Sequence, residues 1–274
     1  MKIKNSPELF ISVSSSPGKF GETVHNSAFR FHKLNYVYKA IRALNIKEVV
    51  KSIRALDVRG CSVSMPFKEK IIPYLDKVDS LANRTGAVNT VLNKNNKLIG
   101  YNTDIYGATQ ALKSIDVRSR DDILILGAGG VSRAIITALK KSNNHQITIA
   151  NRDFRKCKKL ANFFQCNYIE WDKRNEFKAT VLINATSVGM KNNNVAPINM
   201  KSIASFNKVM DVVVSNTETK IIMESKRLNI TNVTGMVMTF YQAFEQYKIY
   251  TGLDAPKKNM LDAYSSKYLK KVNI

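Results

Sequence analysis

A chain of 274 residues, 44% apolar and 23% charged, has material for two ordinary domains, and nowhere does it string together the ~18–20 apolar residues a membrane span needs. Its 3 cysteines, Cys61, Cys157 and Cys166, form no CxxC pair and no CxxC…HxxxH arrangement, so neither a disulfide framework nor a zinc site is expected; they read as reduced, mostly buried thiols. The net charge of +22 would attract phosphate, but the lysines are spread along the whole chain without an aromatic-interleaved basic stripe, and nucleic-acid binding is not expected.

The start, Met1 to Pro7, carries charge but no apolar leader, which makes the cytoplasm the expected location. Leu9 to Val13 and Tyr36 to Ala40 have the β-branched and aromatic content of short strands, while Val24 to Leu34 and Ile46 to Leu56 carry apolar residues at helical spacing. Pro66 is expected in a first helical turn, where its missing N–H is harmless, opening a helix from Phe67 to Leu75 that presents Lys68 at its start. Val88 to Leu92 and Lys97 to Gly100, joined by Asn93-Lys94-Asn95-Asn96, read as a hairpin. From Asp122 the pattern changes to βαβ units. Ile123 to Leu126 is an apolar run of buried parallel-strand type, Val131 to Lys141 a helix, and Gln146 to Ala150 the next strand. Further strands are expected at Thr180 to Ile183, Val209 to Val214 and Asn229 to Val233. Helices are expected at Thr219 to Leu228, Met236 to Tyr250 and Met260 to Leu269.

Gly127-Ala128-Gly129-Gly130-Val131-Ser132 lies between a strand and a helix, where tight glycine turns let backbone N–H groups and the helix N-terminus face a pyrophosphate. Ser132 replaces the third glycine of the usual dinucleotide fingerprint. The next strand ends in Asn151-Arg152-Asp153; an arginine at that place suits the 2′-phosphate of NADP, where a carboxylate would suit the free hydroxyl of NAD. Arg155, Lys156, Lys158 and Lys159 add to the positive field, although a solvated helix face accounts for most of them. Lys68 and Asp104 form a candidate pair for carbonyl reduction, because hydride transfer to a ketone leaves an alkoxide that needs a proton and an ammonium group can supply it. Taken as isolated residues they read first as a surface lysine and a helix N-cap. His25 reads as a structural hydrogen-bonding residue, and Trp171, Tyr241 and Tyr247 as packing.

Ser64-Met65-Pro66-Phe67-Lys68, Gly86-Ala87-Val88-Asn89-Thr90, Asn102-Thr103-Asp104, Gly127-Ala128-Gly129-Gly130, Asn151-Arg152, Ile183 to Met190 and Gly235-Met236 through Gln242-Ala243 occur in the order of the shikimate dehydrogenase family, which the chain resembles over nearly its whole length. The resemblance implies an α/β protein with an N-terminal α/β substrate domain and a doubly wound (Rossmann) NADP-binding domain. Residues 1–105, completed by the C-terminal helices 236–274, would form the first and residues 106–235 the second, with the active site in the cleft. It implies NADPH-dependent reduction of 3-dehydroshikimate to shikimate, on the route to chorismate and the aromatic amino acids. The implied partners are a small-molecule acid and NADP, with no nucleic acid, membrane or metal, in a monomer or homodimer. Carried over by position, Lys68 and Asp104 resemble the catalytic pair, and Ser64, Asn89, Asp104 and Gln242 resemble the substrate-binding groups. Gly127, Ala128, Gly129, Gly130, Val131, Asn151 and Arg152 resemble the nucleotide site; Thr186 and Ser187 resemble the loop after a strand end that lines the cofactor site, and Gly235 and Met238 the residues that contact nicotinamide.

The family's N-terminal loop reads His-Ser-x-Ser-Pro-x-x-His-Asn, and aligned on His25-Asn26 the places of its two carboxylate-binding serines fall to Lys19 and Gly21. The loop Ser14-Ser15-Ser16-Pro17-Gly18-Lys19 resembles instead the shikimate-dehydrogenase-like branch, and Ser14, Ser16 or Lys19 are the candidates to hold a carboxylate. A second departure lies at Asp211 to Asn216, where Val214 stands in place of a substrate-positioning tyrosine. Quinate or another hydroxylated cyclic acid is the alternative substrate, and a low-activity nucleotide-binding protein the alternative of another class.

Overall fold

The computed structural model describes residues 6–141, 146–190, 192–215 and 217–268; the expected leader-free start at Met1 to Asn5, the helix end at Leu269 and Asn216 of the second departure lie outside them. The chain divides into two compact units, one formed by the residues up to Thr103 together with those from Phe240 onward, the other by Asp104–Thr239.

The first unit opens with β1 (Glu8–Ser14), α1 (Phe20–Phe31), β2 (Tyr36–Arg42), α2 (Ile46–Ala55) and β3 (Gly60–Val63), followed by β4 (Lys77–Val78), α3 (Ser80–Thr85), β5 (Thr90–Lys94) and β6 (Lys97–Tyr101). Its strands lie in the order β2-β1-β3-β5-β6-β4. β1 pairs in parallel with β2 and β3, and β5 runs antiparallel to both β3 and β6. The β5–β6 hairpin turns on Asn95 and Asn96, both with positive φ, 53° and 62°, the backbone form that asparagine tolerates in a two-residue turn. One face of the sheet carries a core that includes Ile11, Val13, Val50, Ile53, Cys61, Val63 and Val91. α2 fits that face because Ile46, Val50 and Ile53 fall on one side of it, and Asn45 caps it by accepting from Lys47 N–H at 2.9 Å.

The helix expected from Phe67 to Leu75 does not form. Turns run through this segment after a cis Met65–Pro66 bond, and only Ile72–Tyr74 makes a single 3₁₀ turn. Pro73 would have stood in the interior of the expected helix, where it lacks an N–H and crowds the preceding turn; it is accommodated at the start of the short turn instead. α1 begins at Phe20, so His25 lies in mid-helix rather than at its start.

The second unit contains α4 (Asp104–Ser114), β7 (Asp122–Leu126), α5 (Gly130–Lys140), β8 (Gln146–Ala150), α6 (Phe154–Phe164), β9 (Asn167–Ile169), β10 (Val181–Asn184), α7 (Met200–Ile203), β11 (Lys208–Asp211), α8 (Lys220–Arg227) and β12 (Thr231–Thr234). Its strands lie in the order β12-β11-β10-β7-β8-β9, every pair parallel. Ile123, Leu124, Ile125 and Leu126 are wholly buried, as a central strand covered on both faces requires. β11 stops at Asp211, three residues short of the expected Val214, because the Asp211 carboxylate takes the Val213 N–H at 3.0 Å that would have extended the ladder. The unit boundary falls within α9 (Gly235–Thr251), which is followed by α10 (Lys257–Tyr268).

Candidate active site

In the first unit the ends of the parallel strands β1 and β3 open at one edge of the sheet, and backbone bonds bring several separated segments to that edge. Ser64 N–H donates to the Val13 carbonyl at 2.9 Å, and Ser15 N–H to the Met65 carbonyl at 3.2 Å. The chain then turns back, so that Val88 N–H reaches the Lys68 carbonyl at 2.8 Å and Val63 N–H the Asn89 carbonyl at 2.7 Å. Ser14, Ser64, Lys68 and Asn89 are thereby gathered at the C-terminal edge of the strands, the side on which α/β sheets bind their ligands. Ser64 is exposed and Lys68 half-buried.

Side chains complete the cluster. Asn89 Oδ1 accepts the Thr103 backbone N–H at 2.8 Å, and its Nδ2 donates to Thr103 Oγ1 at 3.0 Å and to Gln242 Oε1 at 3.4 Å. Thr103 Oγ1 also lies 3.2 Å from Gln242 Oε1. Asp104 follows directly, buried in the first turn of α4. Ser14 is 7% exposed, and its Oγ has no hydrogen-bond partner among the described residues; an unmet hydroxyl of this kind costs about 1–3 kcal/mol, which a ligand oxygen would relieve. Ser16 is not drawn into this group: it sits exposed on the bend after β1. Lys19 is exposed at the N-cap position of α1, and a Cβ at Gly21 would come within 3.0 Å of the Tyr38 hydroxyl, so the Tyr38 phenol crowds the space a serine would need there.

Below the cluster, Gln246, Thr90, Ser62, Tyr38 and His25 form a buried polar layer that the sequence reading did not single out as functional. The available signal was spacing, since Gln246 follows Gln242 by one helical turn on α9. His25 is fully buried, stacks on Tyr38 with ring centroids 4.7 Å apart and bonds Gln246 at 3.1 Å; burial drives its pKa down from 6.5 to about 4, in keeping with a structural role.

In the second unit the expected nucleotide residues sit at strand C-termini. Gly127, Ala128, Gly129, Gly130 and Val131 join β7 to α5; Asn151 and Arg152 follow β8, Thr186 follows β10, and Gly235 follows β12, with Met238 one turn into α9. β8 and β10 lie on opposite sides of β7, which puts the glycine turn at the switch point of the sheet, where dinucleotides bind in such folds. Gly127 has φ +114°, and a Cβ there would lie 2.8 Å from the Ala185 carbonyl oxygen. Gly129 caps α5 without a side chain and faces open space, leaving the helix N-terminus accessible to a phosphate group. The residues present thus fit a dinucleotide. Asn151 Nδ2 donates to the Asp153 carbonyl at 2.9 Å, and Asp153 caps α6, while Arg152 remains exposed. Arg155, Lys156, Lys158 and Lys159 are exposed along α6 as well. Thr186 is held by Asn184, whose Oδ1 accepts its N–H at 3.0 Å and its hydroxyl at 2.7 Å, and Asn184 in turn donates to buried Asp211 at 2.9 Å.

Residues 10–91 match the family model of the shikimate dehydrogenase substrate binding domain, and residues 109–189 that of shikimate / quinate 5-dehydrogenase. A protein of Methanococcus aeolicus named shikimate dehydrogenase (NADP(+)) is 38% identical over 243 residues, covering 84% of this chain and 87% of its own. The chain belongs to the shikimate dehydrogenase family. A shikimate dehydrogenase-like protein of Haemophilus influenzae is 32% identical over 91% of this chain and 92% of its own. A family member solved in complex with NADP+ superposes with a TM-score of 0.87 at 31% identity, covering 98% of each chain. Like its relatives, this member of the family has an α/β fold with a substrate-type and a Rossmann-like region. No helix among the described residues is long and apolar enough to cross a membrane, and no His, Cys, Asp or Glu cluster among them could hold a metal ion.

Proposed function

We propose that this protein is an NADP-dependent shikimate dehydrogenase that reduces 3-dehydroshikimate to shikimate in aromatic amino acid biosynthesis. The observation that carries the reading is the gathering of Lys68, Ser64 and Ser14 with the Asn89–Thr103–Gln242 cluster at one sheet edge, in a chain whose relatives are named for this activity and cofactor. Bound NADPH supplies the hydride to the ring carbonyl. Lys68 Nζ donates the proton that the carbonyl oxygen needs as negative charge develops on it, and takes the proton back in the reverse direction. Asp104, the residue after the Asn89-held Thr103, orients the lysine and binds a ring hydroxyl. Ser64, Asn89 and Gln242 bind the other hydroxyls, and Ser14, with its unmet buried hydroxyl, takes the carboxylate. The turn from Gly127 to Val131 would hold the pyrophosphate of NADP, Asn151 and Arg152 its 2′-phosphorylated ribose, Thr186 would line the cofactor site, and Gly235 and Met238 would contact the nicotinamide. The enzyme works in the cytoplasm as a monomer or homodimer, without nucleic-acid or membrane partners.

A second reading, a dehydrogenase of quinate or another hydroxylated cyclic acid, is favoured by one feature: Lys19 and Gly21 occupy the places of the family's carboxylate-binding serines. Incubation with 3-dehydroshikimate and NADPH tests the proposal, and shikimate and NADP are expected in equal amounts. If NADPH binds but neither this ketone nor that of quinate consumes it, the catalytic reading fails and a nucleotide-binding protein remains.

A further inference from the structure

The first unit contains a chain of uncharged hydrogen-bonding groups that reaches the substrate-facing amides from beneath. Ser62 on β3 pairs with Thr90 on β5 and with Ser12 on β1, and Tyr38 on β2 pairs with Phe10 of β1, so Tyr38, Ser62 and Thr90 point to the same face of the sheet. Gln246 lies among them, 3% exposed. Its Oε1 is 2.7 Å from Ser62 Oγ and 3.1 Å from His25 Nε2, and its Nε2 is 2.8 Å from Thr90 Oγ1. Thr90 Oγ1 is 2.8 Å from Asn89 Oδ1. The hydroxyls of Tyr38 and Tyr250 approach Ser62 Oγ at 2.5 and 3.2 Å.

The protons in this chain can be placed from a fixed end. A backbone N–H only donates, so the Asn89 atom that meets Thr103 N at 2.8 Å is its oxygen. An amide oxygen has no proton, so the contact between Asn89 and Thr90 must use the single proton of the Thr90 hydroxyl. Thr90 then has only lone pairs left for Gln246, which must therefore turn its N–H toward Thr90 and its oxygen toward Ser62 and His25. Those two can both donate: His25 is neutral with its proton on Nε2, and Ser62 receives the protons of two phenols that burial keeps protonated. At the other end Asn89 Nδ2 can only donate, and it meets Gln242 Oε1 at 3.4 Å, while Thr103 Oγ1 lies 3.2 Å from that oxygen and 3.3 Å from Asn89 Oδ1; the Gln242 amide hydrogens are thereby directed away from the cluster.

We propose that Gln246 is a positioning residue that braces, through Thr90, the hydrogen-bond arrangement that the Thr103 N–H sets on Asn89, so that Asn89 and Gln242 are held in place and Gln242 offers its N–H donors to a hydroxyl oxygen on the substrate ring. This rests on the cyclic-acid dehydrogenase reading. Without the Gln246 N–H, the Thr90 hydroxyl can turn from Asn89 into the vacated space; Asn89 Oδ1 then loses one of its donors, and the amide that holds Gln242 is itself held less firmly.

Steady-state kinetics with shikimate and NADP on Gln246→Leu, Gln246→Glu and Thr90→Val test this. Each is expected to raise KM for shikimate about tenfold, the size of effect that one lost neutral hydrogen bond gives, with kcat within about twofold and NADP affinity unchanged. Gln246→Glu, nearly the same shape but without a donor, should fare no better than Gln246→Leu. Combining Gln246→Leu with Thr90→Val should cost little more than the worse single change, because both cut the same link, whereas combining it with Arg152→Ala should give the product of the two effects. An unchanged KM in Gln246→Glu, or full multiplication of the Gln246 and Thr90 effects, overturns the proposal. So does a parallel loss of kcat and NADP affinity, which marks general structural damage. Should Gln246→Leu fail to fold, the nearly isosteric Thr90→Val reads the same link. A wild-type enzyme that turns over no cyclic acid defeats the underlying reading, an outcome distinct from an active wild type with indifferent variants.

Discussion

Lys68 is placed by its backbone: its carbonyl is tied to Val88 one residue before Asn89, while the side chain is half-buried. Removing the amine leaves this backbone bond in place and takes away the proposed proton donor. Lys68→Ala should lower kcat by two orders of magnitude or more, in line with the roughly 10²–10⁴-fold worth of a general acid–base group, with NADP affinity preserved by fluorescence titration; unchanged turnover would remove Lys68 from the chemistry. His25 makes a different prediction, about stability. Its folded pKa of about 4 lies below the ordinary 6.5, so between those values the unfolded chain binds a proton that the folded chain does not. Stability from this residue is complete above pH 6.5 and is lost as pH falls toward 4, by about 3 kcal/mol. Denaturant unfolding of wild type and His25→Gln at pH 7 and pH 4.5 should show a shallower loss in the variant, and equal losses would contradict the assignment.

The βα turn after β7 separates two uses of glycine. Gly127 is demanded by the backbone, with positive φ and the Ala185 carbonyl close by, whereas Gly129 faces open space at the start of α5. Gly127→Ala should lower the melting temperature, while Gly129→Val should leave it within a degree or two and weaken NADP at least tenfold; a variant at Gly129 that binds NADP normally would show that the turn does not meet the pyrophosphate. At the end of β8, Arg152→Ala should weaken NADP far more than NAD, and equal weakening would contradict the 2′-phosphate assignment. This region was legible in the sequence because its signals are local: a continuous apolar run for a doubly covered strand, then glycines, then a helix. Two other segments misled for equally physical reasons. Phe67 to Leu75 reads as a helix because Pro66 suits a first helical turn, but Pro73 interrupts the ladder, and Val212 to Val214 read as strand although a side chain, Asp211, captures a backbone donor there.

At the scale of the molecule, the fold class and the family could be read from ordered motifs, while the bonds that hold the candidate residues could not. The bonds that join His25, Ser62 and Thr90 to Gln246 connect positions between 156 and 221 residues apart, which no local pattern encodes. The same distance between motif and context explains the N-terminal loop: the sequence shows that the family's serines are absent, but only the structure identifies Ser14 as the buried hydroxyl left unmet. The acid that fills this place decides the account. Initial rates of NADPH formation with shikimate and with quinate, each at saturating NADP, measure it directly. Saturable oxidation of shikimate with a kcat/KM well above that for quinate is the predicted result; no oxidation of shikimate, or a clear preference for quinate, would contradict it.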